Sequence, residues 1–217
     1  MDISSAAIVG TGVIAAGAAG TNWWSRVGDR PRVELVTKPL TTIAIGALAV
    51  MVADDSVSTA ALVAAIIGFM LCLAGDVALL PAVDSFVLGL ASFLAGHLAF
   101  MVMFVILGLD RWWLGLVALA AAESVAVILG RPIIVGASSK NPSLRRPVLA
   151  YLAIISSMAV VGWATGRPAA MLGSSLFVLS DSILGWRQFV AHRRWMSVAI
   201  MVTYHAALLG LALTLAG

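Results

Sequence analysis

Apolar side chains recur along this chain in eight stretches, near residues 4–21, 35–53, 58–80, 86–108, 112–134, 148–165, 169–186 and 195–216. Each is long enough, at about 17–25 residues, to cross a bilayer as a helix. Short polar connections separate them. The pattern predicts an all-α polytopic membrane protein, with residues 1–217 forming a single bundle of eight transmembrane helices. The first stretch is rich in Gly and Ala and ends in AAGAAG, a sequence like a signal-peptide cleavage region. It begins MDISS, however, with an acid where a signal peptide carries Lys or Arg, and is read as a span. Pro31, Pro81, Pro132, Pro142, Pro147 and Pro168 fall in connections or near helix ends, and Pro39 in the first turn of the second span, where a missing N–H costs least. No heptad, hydrophilic insert or low-complexity tail interrupts the series. No sequence repeat relates the halves, which weighs against a transporter built from inverted repeats.

Composition agrees with this picture. Hydrophobic residues make up 62% of the chain and charged residues 11%, against roughly a quarter charged in a soluble domain. The net charge of +3 is distributed by topology. Arg26, Arg30, Arg32 and Lys38 flank the first connection; Arg131, Lys140, Arg145 and Arg146 the fifth; Arg187, Arg193 and Arg194 the seventh. Connections of opposite parity hold only Arg111 and Arg167 of the 13 basic residues, alongside Asp54, Asp55 and Asp110. Because Lys and Arg accumulate on the cytoplasmic side, eight spans with both termini outside is the expected topology. The expected location is the inner, or plasma, membrane of a bacterium. No basic stripe with interleaved aromatics points to nucleic acid. Cys72, the single cysteine, lies in an apolar segment and forms no intramolecular disulfide.

Three acids lie within spans: Asp76, Glu123 and Asp181. An ionisable group in hydrocarbon is costly and faces a bundle interior or a wet cavity, which makes each a candidate for function. Asp76, in LCLAGDVALL, sits roughly 6 Å from the cytoplasmic end of its span at 1.5 Å per residue, and Asp181, in VLSDSILGW, roughly 9 Å from the same side. Lys38, in TKPLTT, and Tyr151 approach from that face too. His97 and the Tyr204–His205 pair lie somewhat deeper, so five or six helices can contribute to one polar site. Phe86, Gly89, Phe93, Gly96, His97 and Phe100 recur at steps of three and four and share one helix face. Packing accounts for Phe86 and Phe93; for His97, a packed histidine and a functional one stand level. Ser180 and Ser182 either orient Asp181 or bond back to helix carbonyls. Lys38 either serves the site or snorkels to headgroups. Nothing in the sequence joins Glu123 to the other acids. Trp23, Trp24, Trp112, Trp113, Trp186 and Trp195 sit at span ends, as an aromatic belt would. HExxH, CxxC and GxSxG are absent from the sequence, and the three histidines lack metal-ligand spacing, so neither a metal nor a cofactor is expected.

TKPL at 37–40, GDVALL at 75–80, FVLGLASFLAGHLAF at 86–100, Tyr151, Met158, SDSIL at 180–184 and Tyr204 occur in this order along the chain. Together they resemble the signature of the YhhN-like membrane proteins, the lysoplasmalogenase family. One departure is the last span, where the family tends to carry a Gln soon after the Tyr and this chain has His205, in the position to substitute for it.

The resemblance implies cleavage of the vinyl-ether bond of a lysoplasmalogen, a lysophospholipid, to a fatty aldehyde and a glycerophospho-headgroup. For that chemistry Asp76 and Asp181 are the expected catalytic pair, one protonated general acid and the other a carboxylate that stabilises the cation and activates water, with His97 orienting a carboxylate or water. Lys38, Tyr151, Ser180, Tyr204, His205 and Phe93 are then the substrate-binding set. Membrane lipids are the other implied contact, and oligomeric state is left open. A reading from a different class keeps the same acids as a proton relay in a solute transporter or lipid-binding protein. A third keeps an enzyme but exchanges the vinyl ether for another lipid ether or ester.

Overall fold

A computed structural model describes residues 3–216. Among the described residues, nine α-helices follow one another: α1 Ile3–Val27, α2 Pro31–Met51, α3 Thr59–Ala78, α4 Phe86–Leu107, α5 Trp112–Val125, α6 Arg131–Lys140, α7 Arg145–Ala164, α8 Pro168–Phe189 and α9 Arg194–Leu213. No strand occurs among the described residues. A π-helical turn, Ala126–Gly130, joins α5 to α6, so the two form one rod from Trp112 to Lys140. The helices therefore make eight rods, the number that hydropathy predicts. Among the described residues, seven of these rods are long and apolar enough to cross a membrane. The eighth, α1, packs along α2 and α9. Asp2, the acid that weighed against a signal peptide, lies outside the described residues.

Two boundaries differ from expectation for the same physical reason. Hydropathy ends a span at the first charged residues, whereas the backbone ladder continues through them. α2 begins at Pro31, not near 35, so Pro39 lies inside the helix and leaves the carbonyl of Leu35 without its usual donor. The fifth rod runs on to Lys140, not to about 134, so Lys140 belongs to it, with Arg131, and not to a connection. Pro132 is accommodated next to the π turn, where the Arg131 amide already reaches back five residues to the Ala126 carbonyl.

Lipid tails are as apolar as Leu, so association of these rods depends on close packing and on polar contacts. Small residues supply the first. Gly68 and Gly75 of α3 lie under the rings of Phe100 and Phe93 of α4; a Cβ there would stand 2.6 and 2.7 Å from ring carbons. Gly173 of α8 and Gly210 of α9 meet backbone to backbone, a Cβ at Gly173 falling 2.8 Å from the Leu211 amide nitrogen. The predicted α4 face is buried at Gly89, Phe93, Gly96, His97 and Phe100. Phe86 instead meets Phe189 edge to face, ring centres 5.4 Å apart. Phe100, Met103, Phe104, Met158, Phe177, Leu208 and Leu211 fill the centre of the bundle. Trp24, Trp112, Trp113 and Trp195 are exposed at rod ends, whereas Trp23 turns inward.

Gly173→Val drives a branched side chain into the α9 backbone. The expected loss is about 1–3 kcal/mol, read as a lower midpoint in detergent unfolding; an unchanged midpoint would show that α8 and α9 are free to separate.

Candidate active site

Six helices bring polar side chains to the bundle interior, in two groups. In the first, Asp76 of α3 is fully buried, and its Oδ2 accepts hydrogen bonds from Thr42 of α2 and from Tyr204 of α9, the latter at 2.8 Å. Its Oδ1 faces the Lys38 ammonium at 3.4 Å. The same ammonium lies 3.4 Å from the Asp76 backbone carbonyl. Thr42 follows Lys38 by one turn, which puts both on the α2 face that meets α3. Lys38 and the hydroxyls of Thr37, Thr41 and Thr42 make this stretch, TKPLTT, the polar seam of α2.

In the second group, Asp181 of α8 accepts a hydrogen bond on Oδ2 from the Tyr151 hydroxyl of α7. His97 of α4 places Nε2 3.2 Å from the same oxygen and 3.0 Å from the Tyr151 oxygen. With Tyr151 donating to Asp181, Nε2 is the protonated nitrogen of His97, a tautomer assigned from these contacts. Nδ1 is then a buried acceptor without a partner among the described residues. Aromatic rings join the groups: Phe177 stands edge-on to His97 at 4.6 Å and to Tyr204 at 5.5 Å, and Phe93 stands edge-on to Tyr204 at 5.7 Å.

Both carboxylates line one polar cavity of about 170 Å³, with Lys38, Phe93, Ser180 and Tyr204. Arg26, Glu34, Asp84 and Arg187 lie along the same cavity. A second space, an apolar groove of about 720 Å³, runs between the fifth rod and α7 and α8. Glu123, Ala126, Gly130, Ala153, Ser156 and Ser182 are among its lining residues. Among the described residues, Asp181 alone borders both spaces.

The remaining sequence candidates divide. Ser180 spends its hydroxyl on the Ile200 carbonyl of α9 at 3.1 Å and so ties two helices together. His205 does not border the polar cavity; it stands behind Tyr204 and accepts the Trp23 indole N–H on Nδ1 at 3.0 Å. That bond explains why Trp23 leaves the aromatic belt. Glu123, unplaced by sequence, shares the groove with Asp181. Thr42, Arg26, Glu34 and Arg187 were missed as site residues. Thr42 was signalled by its i+4 spacing from Lys38, but the arginines read as topology and Glu34 as a connection residue. Glu34 is in fact helical and buried, and pairs with Arg26 across the turn between α1 and α2.

Fold and site together define a multi-pass helical membrane protein with two buried carboxylates on a polar cavity, one of which, Asp181, also borders an apolar groove. The chain belongs to the YhhN family, whose sequence pattern matches residues 33–215. It is 34% identical over 149 residues to the human (Homo sapiens) protein named Lysoplasmalogenase TMEM86B, a match covering 68% of this chain and 61% of that one. The Rattus norvegicus and Sus scrofa proteins of that name are each 31% identical, over 147 and 140 residues, covering 68% and 64% of this chain and 59% and 58% of theirs. This chain thus spans about three fifths of the length of the curated relatives it matches. No solved structure matches it.

Removing Lys38 strands the Asp76 carboxylate in the core. Lys38→Met should cost about 3–5 kcal/mol, and Lys38→Met with Asp76→Asn should recover part of that loss. Additive losses in a double-mutant cycle, measured by detergent unfolding, would mean that the pair does not interact.

Proposed function

We propose that this protein hydrolyses the vinyl-ether bond of a lysoplasmalogen, releasing a fatty aldehyde and a glycerophospho-headgroup. The observation that carries the reading is the position of Asp181 on the border of a polar cavity and an apolar groove. A vinyl ether is itself such a border, with the alkenyl chain on one side and the glycerophosphate on the other. The names of the relatives from human, rat and pig support the same reaction. The transporter reading draws on the buried acids alone and leaves this border unexplained.

Two carboxylates at one low-dielectric cavity do not both ionise readily. Both acids accept from donors, but Asp76 alone faces a cation, Lys38, which favours its charged form, so Asp76 is the ionised member. The proton rests on Asp181, on Oδ1, since Oδ2 accepts from Tyr151 and His97. Asp181 delivers that proton to the vinyl carbon remote from oxygen, and the developing oxocarbenium ion is stabilised by the Asp76 charge. Water adds to the carbon bonded to oxygen and loses a proton to Asp76, giving a hemiacetal. Asp76 returns this proton to the departing glycerol oxygen, while the hemiacetal hydroxyl proton passes to Asp181. The products are aldehyde and alcohol, with both carboxyls restored. General acid catalysis of this kind contributes about 10²–10⁴-fold.

By the positive-inside rule, the end of the bundle bearing Arg26 and Arg187 is cytoplasmic, so both termini are outside and substrate is drawn from the inner leaflet. The alkenyl chain then lies in the groove beside the π turn.

Aldehyde release from purified protein in lipid vesicles tests the reading. Asp181→Asn should lose about 10²-fold or more while remaining folded, and so should Asp76→Asn in a Lys38→Met background, where no unpaired charge is left; full activity in either would refute the pairing. Ala153→Trp, which narrows the groove, should raise KM for long-chain substrates more than for short ones. Equal effects on both would move the chain elsewhere.

A further inference from the structure

Two charged groups on the polar cavity, partly buried Arg187 and exposed Asp84, have no opposite charge within ion-pair distance among the described residues. Arg187 of α8 lies six residues beyond Asp181 and borders both the cavity and an outer cleft of about 1120 Å³ that opens beside α9. Among the described residues, no carboxylate lies within ion-pair distance of it. Its Nη2 contacts His192 Nε2 at 3.1 Å, and its Nε is buried without a partner. A guanidinium in this state costs free energy unless an anion completes it. Arg26 borders the same two spaces, but its charge is already opposed by Glu34.

The anionic counterpart is Asp84. It lines the cavity from the turn between α3 and α4, with a positive φ of 47°, a conformation that non-glycine residues adopt at some cost. No cation among the described residues lies within ion-pair distance of its carboxylate. An open cation and an open anion on one small cavity are complementary to a zwitterion. Lys38, the other cation there, faces Asp76 and is taken up by it.

We propose that the cavity mouth is the binding site for a zwitterionic phosphodiester headgroup, with Arg187 as the phosphate ligand and Asp84 as the partner of the ammonium group. This rests on the reading of the substrate as a single-chain phospholipid. It adds that the headgroup is held at the mouth by Arg187 and Asp84, about one and a half to two helical turns from Asp181 along α8. A guanidinium presents a planar fork that matches phosphate oxygens, so glutamine at this position keeps the polarity and loses the match.

Binding to the purified protein in detergent, read by thermal stabilisation, tests the site without requiring turnover. The probe is a 1-O-alkyl lysophosphatidylethanolamine, which has no vinyl ether to cleave. Arg187→Gln should weaken its binding about tenfold or more, while binding of 1-O-alkyl glycerol, which lacks phosphate, stays at the wild-type level. Asp84→Asn should weaken binding of the same probe and leave that of 1-O-alkyl glycerophosphate, which has no amine, unchanged. Unaltered binding of the phospholipid by Arg187→Gln overturns the phosphate assignment. Equal losses for the two phosphate probes in Asp84→Asn overturn the ammonium assignment. Displacement of the lipid by inorganic phosphate alone would assign the site to free phosphate and overturn the headgroup reading. Wild-type binding of the probe with no aldehyde release from any lysoplasmalogen would retain the headgroup site and reject the hydrolase.

Discussion

A lysine ammonium and an aspartate carboxylate face each other at 3.4 Å in the middle of an apolar bundle, and both are almost wholly buried. Neither is tolerable alone at that depth, because hydrocarbon supplies no solvation for charge. The pair therefore fixes α2 against α3, and the hydroxyls of Thr42 and Tyr204 extend the tie within α2 and to α9. Tyr151, His97 and Asp181 do the same for α7, α4 and α8. In a membrane, where apolar burial gives little drive for helix association, such polar ties and the glycine contacts beside them select one arrangement of rods. The site and the fold are stabilised by the same contacts.

This coupling explains what the sequence disclosed. Eight rods could be counted because hydrocarbon demands long apolar runs and leaves the polar connections conspicuous. Asp76, Asp181 and His97 could be singled out because polar groups at depth are rare enough to be conspicuous, and helix rise alone put the two aspartates at matching depths. What could not be read was azimuth. His205 and Tyr204 are neighbours in sequence, yet a step of 100° sends one to Trp23 and the other to Asp76. Arg187 and Arg26 carry the expected topological charge, so composition gave no reason to look further at them. Glu34 was hidden by the charged start of α2, where hydropathy falls although the helix continues.

The groove illustrates the same limit. No feature of WWLGLVALAAAESVAVILG announces that the fifth rod bends its hydrogen-bond pattern through a π turn at Ala126–Gly130. That turn forms part of the wall of the space that reaches Asp181, and the rod that carries it is the least buried of the seven membrane-length rods among the described residues. π turns recur at functional positions because the inserted residue disturbs the ladder and persists only where something is gained. Here it lies on the side of the bundle from which a chain would reach the carboxylate.

The account depends on an asymmetry between two chemically identical groups: Asp76 ionised by its lysine, Asp181 holding the proton. Infrared difference spectroscopy of the purified protein in lipid reads this directly through the C=O stretch of a protonated carboxyl group. The band should be present in the wild type, shift in D₂O, and vanish in Asp181→Asn. A band that survives in Asp181→Asn would contradict the account.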